Sequence, residues 1–161
     1  MKEIIVHPFK PIINEESEIL VLGSFPSVVS RSNDFYYGNK KNRFWRLLDL
    51  IYGTNLDLLS NMEKKNKLLE LHIAIYDVVY SCSIVGSSDS SIEDVIYSDI
   101  NSLIRNTKIK KIYCNGKTAY NLFIKGNPNL KEMAVYLPST SPANAAFSID
   151  KLYSEWKIIR A

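Results

Sequence analysis

Glu18-Ile19-Leu20-Val21-Leu22-Gly23 is a short apolar run closed by a glycine. An unbroken run of this kind, rather than an alternating one, reads as a strand buried on both faces, as in a parallel sheet. A polar, glycine-containing loop follows over residues 24–41. Phe44, Leu47, Leu48 and Ile51 then recur at helical spacing, with Asn42 as a candidate N-cap and Gly53 as the stop. A second helix is expected over 62–71 and a second strand over 73–79. A serine-rich loop spans 81–91, and a helix 98–105. Residues 109–114 form a third strand, 118–124 a helix, and 133–137 a fourth strand. After the loop 138–143, Ser148 caps a last helix carrying Leu152, Trp156 and Ile159 on one stripe.

Strands alternating with helices predict a three-layer α/β/α sandwich around a central, mainly parallel four-stranded sheet. In such sheets the ligand lies outside the carboxyl ends of the strands. That rule selects the loop 24–41, the segment after Asp77, residues 115–117 and the loop 138–143. No internal repeat or linker interrupts the 161 residues, so a single domain over 1–161 is expected. Hydrophobic residues make up 46% and charged residues 23%, which argues against disorder. The apolar runs are too short to cross a bilayer, and the first eight residues lack a signal-peptide pattern. A cytoplasmic monomer without membrane contact is the expectation.

Cys82 and Cys114 are the only cysteines, and His7 and His72 the only histidines. Neither a disulfide framework nor a four-thiolate metal site can be built from them, so no metal and no cofactor is expected. The net charge is +3, compatible with a polyanionic partner without pointing to one. Lys40, Lys41, Arg43 and Arg46 cluster in one stretch, and Lys108, Lys110 and Lys111 in another. Each reads equally as a solvated face.

The loops on the predicted active edge carry the informative residues. The first reads Gly23-Ser24-Phe25-Pro26-Ser27, then Phe35-Tyr36-Tyr37-Gly38-Asn39-Lys40-Lys41-Asn42-Arg43-Phe44-Trp45. The last reads Leu137-Pro138-Ser139-Thr140-Ser141-Pro142-Ala143-Asn144, with Asn115-Gly116-Lys117 between them. In this order the motifs resemble those of the uracil-DNA glycosylase superfamily, most closely its hypoxanthine-DNA (deoxyinosine) branch, from about Phe9 to Trp156. The resemblance implies hydrolysis of the bond between a flipped deaminated base and its deoxyribose in DNA, without a metal. Such chemistry needs a positioned water, donors aimed at the departing base, and exclusion of solvent.

Two positions depart from the superfamily pattern. Phe25 stands where better-known members place an Asp or Asn that positions water, and Leu137 stands where some place a histidine. The resemblance transfers the water to Asn42, whose carboxamide both donates and accepts; helix capping is the alternative. Phe25 becomes a wall for the base or a core residue. Asp77 ends its strand where uracil-excising relatives read the base with asparagine. A carboxylate there accepts from hypoxanthine N1–H or uracil N3–H, and a turn cap is the alternative.

Ser24, Tyr37 and Asn115 complete the expected base pocket, and Asn115 has a turn role as its alternative. Backbone amides or Asn115 then stabilise the leaving base. Asp89 is a weaker candidate, since serine and aspartate in a loop usually make turns. Pro26, Ser27, Ser139, Thr140, Ser141 and Asn144 are the expected DNA contacts.

Three rival readings follow from the same residues. One is a uracil or mismatch glycosylase, and another is an inactive DNA-binding module of the same fold. A serine hydrolase is excluded, because no Gly-x-Ser-x-Gly elbow and no late histidine exist.

Overall fold

The computed structural model describes residues 3–161, with only the backbone described at Glu3, so the start of the stretch read for a signal peptide lies outside the described residues. The chain opens with β1 (Glu3–Val6) and enters the core through β2 (Ile19–Gly23). Helices α1 (Val28–Asn33), α2 (Phe44–Tyr52) and α3 (Asn61–Glu70) lead to β3 (Ile73–Asp77), which runs almost directly into β4 (Val79–Ile84). Then come β5 (Glu93–Tyr97), α4 (Ile100–Ile104), β6 (Lys111–Asn115), α5 (Lys117–Gly126), β7 (Ala134–Leu137) and α6 (Ile149–Trp156).

The expected parallel sheet forms, in the order β3-β2-β6-β7, with helices packed on it. Leu20, Val21 and Leu22 are fully buried, as a strand covered on both faces requires. Helix α2 turns Phe44, Leu47, Leu48 and Ile51 inward and packs against α6, where the Phe44 ring meets Trp156 edge-on at 6.1 Å. Burying each of these side chains contributes about 1.5–3 kcal/mol. Ser148 caps α6 as expected, accepting from the Lys151 amide. Among the described residues no helix is long and apolar enough to cross a membrane.

Two expectations need correction. The segment expected to be a serine-rich loop from residue 81 begins as strand: β4 pairs antiparallel with both β1 and β5, making a second sheet in the order β1-β4-β5. Serines at 81 and 83 hid it, because serine lacks the β-branched or aromatic signature of a strand. Its partner β1 also lies more than 70 residues away in sequence. The second correction concerns α2, whose N-cap is Arg43 rather than Asn42. Asn42 stands one residue earlier, and its Oδ1 accepts from the Phe44 amide at 2.9 Å.

The second sheet carries the N-terminal segment toward the carboxyl end of β3. Val6 pairs with Ser81, the His7 amide donates to the Tyr80 carbonyl, and Ile12 bridges to Ile75.

Candidate active site

A polar cleft of about 520 Å³ opens at the carboxyl edge of the parallel sheet, within the range of small-ligand pockets. Both motif loops line it, together with Asp77, Asn115 and the short turn at Asp89. Of the residues singled out from the sequence, Ser24, Phe25, Pro26, Ser27, Tyr37, Asn42, Asp77, Asn115, Ser139, Thr140 and Ser141 all reach this cleft. Asn144 does not line it; its side chain donates to the Ser139 carbonyl at 3.0 Å.

Asn42 is held at one end of its carboxamide. Phe44 N–H can only donate, which assigns the bonded atom as Oδ1 and leaves Nδ2 on the other side. The Thr140 hydroxyl donates to the same Oδ1 at 2.8 Å. Thr140 is correspondingly not a surface contact. It is 0% exposed, its amide donates to Asn115 Oδ1, and its carbonyl accepts from Arg43. Asn115 in turn donates through Nδ2 to Thr140 Oγ1 at 3.0 Å and to the Tyr37 hydroxyl at 3.3 Å. Both ends of that carboxamide therefore tie the edge loops together.

Arg43 also departs from its sequence reading. Instead of joining a basic surface with Lys40 and Lys41, its guanidinium donates to the carbonyls of Thr140, Ser141, Asn144 and Phe147. One cation thereby sets the course of the whole last loop. Lys108 lies at the opposite edge of the sheet and pairs with Glu16.

The Tyr37 ring stacks on Phe44 at 4.0 Å, and its carbonyl accepts from Trp45. These contacts hold a non-glycine residue at φ 52°, a conformation that costs energy and is retained where surroundings impose it. Burial, and then the charge of Asp77, push the phenols of Tyr36 and Tyr37 up, so both stay neutral. Burial likewise raises the Cys114 thiol to about 12, leaving it inert. Phe25 belongs to the second, smaller core with Val79, Cys82 and Ile84, and it also lines the cleft. Pro26 beside it is buried. Ser27 caps α1, accepting from the Ser30 amide.

Asp77 is almost wholly buried at the end of β3, and His7 Nε2 lies 2.7 Å from its Oδ2. His7, whose sequence position speaks only against a metal site and a serine-hydrolase triad, is thereby a site residue visible in the tertiary structure alone. No local pattern could have revealed a contact across 70 residues. At the cleft rim, Ser24 Oγ donates to Asp89 at 2.8 Å, bringing in a carboxylate that the sequence ranked as a turn residue. Among the described residues no group of three or more His, Cys, Asp or Glu is placed to hold a metal ion.

Gly116 is the N-cap of α5 at φ 100°, and a Cβ there would stand 3.1 Å from Ser139 Cβ. Gly116→Ala should therefore cost about 1–3 kcal/mol. In a domain of this size that lowers the thermal midpoint by about 2–4 °C per kcal/mol. Calorimetry that finds an unchanged midpoint would show that neither the backbone conformation at 116 nor the contact with Ser139 constrains this turn.

A polar cleft at the carboxyl edge of a parallel sheet, walled by aromatic rings and lined by carboxylates and carboxamides, defines an α/β enzyme for a flat, hydrogen-bonding ligand. The model of the uracil DNA glycosylase superfamily matches residues 11–159, and the chain belongs to that superfamily. It is similar to a hypoxanthine DNA glycosylase of Methanosarcina acetivorans, with 36% identity over 154 residues, covering 94% of this chain and 95% of the relative. A hypoxanthine DNA glycosylase of Methanosarcina barkeri is 35% identical over 113 residues, covering 68% and 70%. The solution NMR structure of a uracil DNA glycosylase candidate from Methanosarcina acetivorans superposes with a TM-score of 0.82 at 35% identity, covering 98% of this chain and 96% of that one.

Proposed function

We propose that this protein is a monofunctional DNA glycosylase that removes a deaminated base, hypoxanthine foremost, from DNA. The observation that carries the reading is the convergence of Asn42, before α2, and Asp77, at the end of β3 and 35 residues further along the chain, on one cleft lined by both motif loops. Membership of the superfamily and the names of the two archaeal relatives support it.

The flipped nucleoside enters the cleft with its base toward Asp77 and its sugar toward Asn42. Leaving the stack costs a few kcal/mol, least for a mispaired base. Asp77 accepts from the ring N–H next to the carbonyl, which adenine lacks. Asn42 Nδ2 holds a water against the sugar carbon. As the glycosidic bond breaks, the sugar gains positive charge and the base carries off the electron pair. The water oxygen bonds the sugar carbon, and its proton passes to solvent or to the departing base. Backbone amides at Ser24 and Phe25 face the base anion. Ser27, Ser139 and Ser141 at the cleft mouth, with Asn144 behind them, grip the DNA backbone. The protein acts as a monomer in the cytoplasm.

Uracil is the second reading, because the same acceptor suits uracil N3–H. Duplex oligonucleotides carrying one deoxyinosine, deoxyuridine or deoxyxanthosine separate the cases. Strand breakage after alkali on the deoxyinosine duplex is the expected result; no breakage on any of the three leaves only an inactive binding module. Excision should persist in EDTA, since no step of this reading uses a metal. Borohydride should trap no protein–DNA adduct, because no lysine is assigned to attack the sugar carbon. A trapped adduct would replace the hydrolytic mechanism with a lyase.

A further inference from the structure

We infer that His7 is a positioning residue for this reaction: it fixes the Asp77 carboxylate through one oxygen and offsets its charge, so that the other oxygen meets the base as a single oriented acceptor. The inference rests on the reading of Asp77 as the base contact.

The hydrogen-bond arithmetic of the pair is restrictive. His7 Nδ1 lies 2.8 Å from the Phe9 carbonyl oxygen, which can only accept, so Nδ1 carries a proton. The Phe9 amide approaches Nδ1 only at 3.5 Å and could bond it only if that proton were absent. On the other side of the ring, Nε2 and Asp77 Oδ2 are 2.7 Å apart with side chains 0% and 6% exposed. Two lone pairs at that distance in a buried site would repel, so a proton lies between them. The rings of Phe9, Phe25, Tyr36 and Tyr76 surround the imidazole, with centroids at 4.7–6.0 Å.

The remaining carboxylate oxygen, Asp77 Oδ1, bonds no other group among the described residues and belongs to the cleft wall. It lies only 2.5 Å from where a Cβ on Gly23 would stand, so glycine at that position is what lets the carboxylate lean into the cleft. A bare carboxylate here would oppose catalysis, because the base departs as an anion beside it. Sharing a proton with His7 removes most of that repulsion while keeping an acceptor for the ring N–H. Leu137 stands where the resemblance puts a histidine in some members; here an imidazole reaches the base through Asp77, from the segment that follows β1.

The test combines a spectrum with a double-mutant cycle. Proton NMR of the parent protein should show a slowly exchanging, far-downfield His7 ring proton that disappears in Asp77→Ala. His7→Phe should lower single-turnover excision of deoxyinosine by about 10- to 10²-fold, with affinity for the undamaged duplex unchanged. In an Asp77→Ala background the same change should cost nothing further, since the residue acts through Asp77. His7→Gln, which can donate to Oδ2 from a neutral amide, should recover part of the rate. An unchanged rate in His7→Phe, losses that simply add, or no downfield proton in the parent would each overturn the inference. If His7→Phe does not fold, the parent spectrum and His7→Gln decide it: Gln at the parental rate, or the missing proton, overturns it. Failure of the underlying reading looks different. Asp77→Ala then excises at the parental rate despite a downfield proton in the parent, and the inference falls with it.

Discussion

Asn42→Ala is expected to lower single-turnover excision of a deoxyinosine duplex by about 10²-fold or more, the usual consequence of losing one preorganised polar group at a reacting centre. The resemblance puts Phe25 at the place where other members of the superfamily orient water, and a phenyl ring cannot do so. The geometry of Asn42 specifies how it would act. Its Oδ1 already accepts from Phe44 N and Thr140 Oγ1, so Nδ2 is the atom left for the water. A donor there binds one lone pair of the water and leaves another to attack the sugar.

Asn42→Asp keeps both bonds to Oδ1 but presents an acceptor in place of Nδ2. It should keep partial activity, since a carboxylate can still hold the water through its hydrogen and favours the cationic sugar. A purely local role predicts a different pair of results: Asn42→Asp at the parental rate, and Asn42→Ala costing only about 1 kcal/mol of stability. Thermal midpoints and single-turnover rates of both variants separate the two. If Asn42→Ala melts earlier but excises normally below its midpoint, the water belongs to another residue.

The second large effect is expected at Asp77. Asp77→Ala should weaken transition-state binding by about 1–3 kcal/mol on a deoxyinosine substrate, with affinity for undamaged DNA little changed. It also leaves His7 Nε2 without its partner, so the thermal midpoint should fall as well. Gly23→Ala reaches the same carboxylate without removing it. The new Cβ would lie 2.5 Å from Asp77 Oδ1 and 3.3 Å from the Tyr37 hydroxyl, and one of them must move. Excision by Gly23→Ala should therefore fall along with that of Asp77→Ala. Parental rates from both variants on every deaminated base would reduce Asp77 to a strand-end cap and remove base reading from it.

The four strands of the parallel sheet, most helices and the loops bearing the site were legible in the chain because each is encoded locally. An unbroken apolar run such as 19–22, or a stripe such as Phe44, Leu47, Leu48 and Ile51, carries its own period. Membership of the superfamily was likewise legible, since its motifs are contiguous stretches of loop. What stayed hidden depends on residues far apart. Strand β4 carries serines at 81 and 83, and it pairs with β1 across more than 70 residues of sequence. The inward turn of Arg43 depends on carbonyls about 100 residues away. The burial of Thr140 depends on Asn42 and Asn115, and the partnership of His7 with Asp77 on the course of the N-terminal segment along the second sheet. The sequence alone supplied the candidate residues and the edge of the sheet on which they gather. Only the tertiary structure decided which of their atoms face the cleft, because a carboxamide or carboxylate turns outward whichever end its distant partners leave unbonded.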